Sequence, residues 1–81
     1  MVNLSEKFTR AIHGEGWSIV KPCPWIAVVM AGDVKVGKIA LNRYDAWEQC
    51  GTMSADEDMT KKFTNICINN DIWPTQEWVN I

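Results

Sequence analysis

The sequence predicts a small two-layer α+β domain in αβββα order: an N-terminal helix, a three-stranded antiparallel β-meander and a C-terminal helix, followed by an aromatic C-terminal tail. Three observations carry that expectation. Two segments, one near each end, combine a helix-start signal with apolar residues at helical spacing. Between them lies a β-branched, apolar run interrupted by Gly32-Asp33, a pair suited to a two-residue hairpin turn. And 81 residues leave room for a single core, so one domain is expected over 1–81.

In the first helix, Asn3-Leu4-Ser5-Glu6 has the spacing of a capping box, with the Asn3 side chain and the Glu6 carboxylate each satisfying a free backbone N–H. Leu4, Phe8, Ala11 and Ile12 then form one apolar stripe, and Gly14 and Gly16 supply the stop. Trp17 to Lys21 reads as the first strand, ended by Pro22-Cys23-Pro24, where two backbone donors are missing. Trp25 to Ala31 and the segment from Val34 form the hairpin. In its second arm Val34 and Val36 fall on one face but Ile39 and Leu41 on the other, a change of parity that a β-bulge at Gly37 reconciles.

Residues 42–50 fit either a short helix or a further strand, and Tyr44, Ala46 and Trp47 tip the balance to the helix, with Gly51 closing it. Ser54-Ala55-Asp56-Glu57 is a second capping box, and the Asp56-Glu57-Asp58 carboxylates sit where a helix dipole favours them. Met59, Phe63, Ile66 and Cys67 repeat the apolar spacing up to Asn69-Asn70. The tail from Asp71 carries Trp73, Pro74 and Trp78 and is too aromatic for a free end, so it is expected to dock on the body.

Composition narrows the function classes. A hydrophobic fraction of 47% with 22% charged residues describes a packed globular chain. The net charge of −2 supplies no positive field to collect phosphates, which disfavours non-specific nucleic-acid binding. The apolar stretch Trp25 to Ala31 is far shorter than the roughly 20 residues a helical span requires, so no membrane contact is expected. Met1 to Gly16 is polar and helical, unlike a secretory leader, and three widely spaced cysteines suggest reduced thiols in a cytoplasmic protein.

The motifs that could carry chemistry have simpler explanations. Gly32 to Ile39 resembles a phosphate-binding loop, but Ile39 stands where a magnesium-binding hydroxyl belongs, and the segment reads as turn into strand, not loop into helix. His13, Cys23, Cys50 and Cys67 include zinc-ligand types, but without the close pairs of a zinc site. His13 has no nucleophile placed beside it, and the carboxylates at 56–58 serve as helix caps. The expectation is a non-enzymatic protein with no catalytic residue, metal or cofactor.

What remains is a surplus of apolar surface. Five tryptophans in 81 residues exceed what one small core hides, and Trp25 to Ala31 is apolar on both faces. Two helices cover one face of a meander, which leaves Ile26, Val28 and Met30 for another partner or for the tail. Trp25, Tyr44, Trp47, Trp73 and Trp78 are therefore the candidate protein contacts, and the leading expectation is a small acidic protein-interaction module. Its partner is a second copy, giving a homodimer, or a heterologous protein, as for an inhibitor of a larger host enzyme of phage or mobile-element origin. The alternative is a nucleic-acid binder with the topology of double-stranded-RNA-binding domains, using Lys35, Lys38, Lys61 and Lys62.

Overall fold

A computed structural model of the chain describes residues 4–52 and 56–74. The elements run α1 (Glu6–Gly14), β1 (Ser18–Cys23), β2 (Ile26–Ala31), β3 (Val34–Leu41), β4 (Trp47–Thr52), α2 (Glu57–Asn69) and β5 (Trp73–Pro74). The α+β class is as expected, but the order is not. Four antiparallel strands separate the helices, and a fifth follows α2 to pair parallel to β4, giving one sheet in the order β1-β2-β3-β4-β5.

Segment 42–50 is the main correction: it forms a turn and β4, with Gly51 inside the strand instead of after a helix. The reason is local. Asn42 Oδ1 accepts from the backbone N–H groups of Tyr44 (2.8 Å) and Ala46 (3.1 Å), and Asp45 takes a left-handed φ of 60°, so the chain reverses before a helical turn can form. Trp47 and Gln49 then point inward while Glu48 and Cys50 point outward. The polar inward residue, Gln49, disguises this alternation.

The helix starts also shift. Ser5, not Asn3, caps α1, accepting from Phe8 N at 3.1 Å, and Glu6 turns to Arg10 at 2.7 Å in place of reaching back. Asp56, not Ser54, caps α2, accepting from Asp58 N and Met59 N. Asn3 and Ser54 lie outside the described residues. Both helices end alike. Trp17 N bonds Ile12 O and Gly16 N bonds His13 O, while Ile72 N bonds Cys67 O and Asp71 N bonds Ile68 O. These are Schellman closures with Gly16 (φ 80°) and Asp71 (φ 59°) in the left-handed position. Each folds a buried side chain, Trp17 or Ile72, back under its own helix and delivers the chain into a strand.

β1 extends through Pro22, past the expected end at Lys21. As the sheet's edge strand it has no further neighbour that would need the missing N–H, and its register slips between Val20 and Cys23. The Gly32-Asp33 hairpin forms as read, with Ala31 facing Val34 and a φ of 63° at Gly32. The parity change in β3 is a bulge: Val29 pairs with Gly37 and Met30 with Lys35, leaving Val36 extra. As a result Val36, Gly37 and Ile39 all face the core.

Phe8, Ile12, Trp17, Ala27, Val29, Val36, Ile39, Trp47, Phe63, Cys67 and Ile72 make one cluster, so both helices pack on the same face of the sheet. The buried Gln49 donates to Ile72 O at 2.8 Å, tying β4 to the start of the tail. Residues 71–74 thus dock on the body, and the rest of the tail, with Trp78, lies outside the described residues.

Candidate interaction surface

With both helices on one face, no helix or strand among the described residues covers the opposite face of the sheet, called the open face below. Strand pairing places its residues in rows. Cys23, Ile26, Ala40, Glu48 and Trp73 line up across all five strands, Val20, Val28, Lys38 and Gly51 form a second row across four, and Ser18, Met30 and Lys35 a third across three. Directly paired residues share a face, so each row is a continuous strip. Alternation along β2 separates the two layers: Ala27 and Val29 are fully buried, whereas Ile26, Val28 and Met30 are only partly covered. Val20 is half exposed.

The exposed aromatics gather at one end of the sheet. Trp25 precedes β2, and its carbonyl accepts from Leu41 N at 2.9 Å, which places it beside the end of β3. Tyr44 stands on the turn that leaves β3, 77% exposed, with the Arg43 guanidinium 5.4 Å over its ring. Trp73 pairs with Glu48 at the start of β4 and, like Trp25, is more than half exposed. The structure therefore brings Trp25, Tyr44 and Trp73 to the same end of the sheet from three distant parts of the sequence.

Trp47 does not join them. It is a core residue, 8% exposed, with Lys21 Nζ 5.7 Å from its ring, and its Nε1 has no hydrogen-bond partner among the described residues. The inward parity of β4 buries it, which the helical reading of 42–50 could not reveal. Trp78 lies outside the described residues. The same misreading hid Ala40, Glu48 and Cys50 as neighbours on the open face; the signal available was the strict alternation from Trp47 to Cys50.

The lysines do not make one patch. Lys35 and Lys38 belong to the sheet, whereas Lys61 and Lys62 are exposed on α2 in the other layer, where Lys62 pairs with Glu15 at 3.3 Å. The fourth antiparallel strand also removes the αβββα order on which the RNA-binding analogy rested.

Among the described residues, no three His, Cys, Asp or Glu side chains stand close enough to hold a metal ion. Burial pushes the Cys67 thiol up to about 12, the opposite of nucleophile activation. Cys50, on the open face, is also raised, by burial first, against a lowering by Lys38 and with a further rise from Glu48. Gly32 to Ile39 forms the hairpin and β3, with no helix N-terminus to receive a phosphate. No helix among the described residues is long and apolar enough to cross a membrane. Comparison with known proteins gives no significant match to a family model, a curated protein or a solved structure.

Proposed function

We propose that this chain is a small non-enzymatic interaction module that binds protein through the open face of its sheet. The observation that supports this reading is the strip Ile26-Ala40-Glu48-Trp73, bordered by Val28 and Val20, at the end of the sheet where Trp25 and Tyr44 are also exposed. Apolar surface with aromatic anchors at its margin and few charges at its centre has the composition of a protein contact. The sheet edges are poor alternatives. β1 carries Lys21 and Pro22, and β5 is two residues long with Pro74 as one of them, both devices that discourage strand addition.

The test uses the full chain as bait in extracts of its source cells, beside Val28→Lys and Trp73→Ala variants verified to be folded by circular dichroism. Loss of a bound protein, or of a second copy, with both variants is the expected result. An identical bound set for all three baits would remove this face as the binding surface.

A further inference from the structure

We draw no further inference here: the strongest candidate, the open outer face of the sheet around Ile26, Val28 and Met30 of β2, carries nothing beyond the protein contact already proposed, because nothing in the structure shows what covers it.

Discussion

Gly37 on β3 lies directly beneath the ring of Phe63 on α2, and a Cβ built there would fall against Cε2 and within 2.7 Å of Cδ2 and Cζ. The β3 bulge turns Gly37 to the inner face, and α2 sets the largest of its apolar side chains in the space that the missing side chain leaves. The sheet and helix are thus locked at one register. Adding a methyl group forces strain into a filled core, so Gly37→Ala is expected to lower stability by about 1–3 kcal/mol. Urea denaturation measures it. Phe63→Leu in the same chain relieves the overlap, so the double variant should lose less than the sum of the single losses.

Asn42 decides that β4 is a strand. Its side chain accepts from Tyr44 N and Ala46 N and donates to Glu48 at 2.7 Å, three bonds that set the reversal between β3 and β4. Asn42→Ala should cost about 1–2 kcal/mol. Asn42→Asp keeps the acceptor but puts a carboxylate against Glu48 in place of a donor, and its loss should be smaller at high salt than at low salt, where the repulsion is screened less. Equal losses at the two salt concentrations would mean that the contact with Glu48 does not contribute.

These two residues also mark what was legible in the sequence. Gly37 announces itself because the apolar positions of β3 change parity there, and a bulge is the cheapest way for a strand to keep Val36 and Ile39 in one core. The hairpin and both helices were readable from turn residues and periodicity for the same reason: local pattern and tertiary burial agree. Segment 42–50 was not, because its inward positions are Trp47 and the polar Gln49, and Gln49 is buried only by virtue of the carbonyl of Ile72, far along the chain. The open face was legible through Ile26, Val28 and Met30, but Glu48 and Trp73 reach it by strand pairings that no local signal encodes.

Trp47 combines a well-buried ring with an indole N–H that has no acceptor among the described residues. Replacing it by Phe removes an unsatisfied donor worth about 1–3 kcal/mol and loses a comparable amount of packing and of cation–π contact with Lys21. Trp47→Phe is therefore expected to change stability by less than about 1 kcal/mol, whereas Trp47→Ala should lose about 3–5 kcal/mol. Thermal unfolding of the two variants checks the contrast. A large loss with Phe would show that the N–H is bonded in solution.

Cys67 makes stability depend on alkaline pH. Its thiol, ordinarily at 9.0, is pushed up to about 12 by burial on the inner face of α2. The unfolded chain gives up this proton first, so above pH 9 it binds fewer protons than the folded chain, and stability must fall as pH rises. The contribution is complete below pH 9 and is lost between pH 9 and about 12, at a rate approaching 1.4 kcal/mol per pH unit. The quantity to measure is the difference between wild type and Cys67→Ala in urea midpoints from pH 8 to pH 11, which cancels the groups that the two proteins share. The variant starts lower, because it leaves a small cavity, and should lose less with pH, so the two curves converge. Parallel curves would show that the Cys67 thiol ionises as readily in the folded protein as in the unfolded chain.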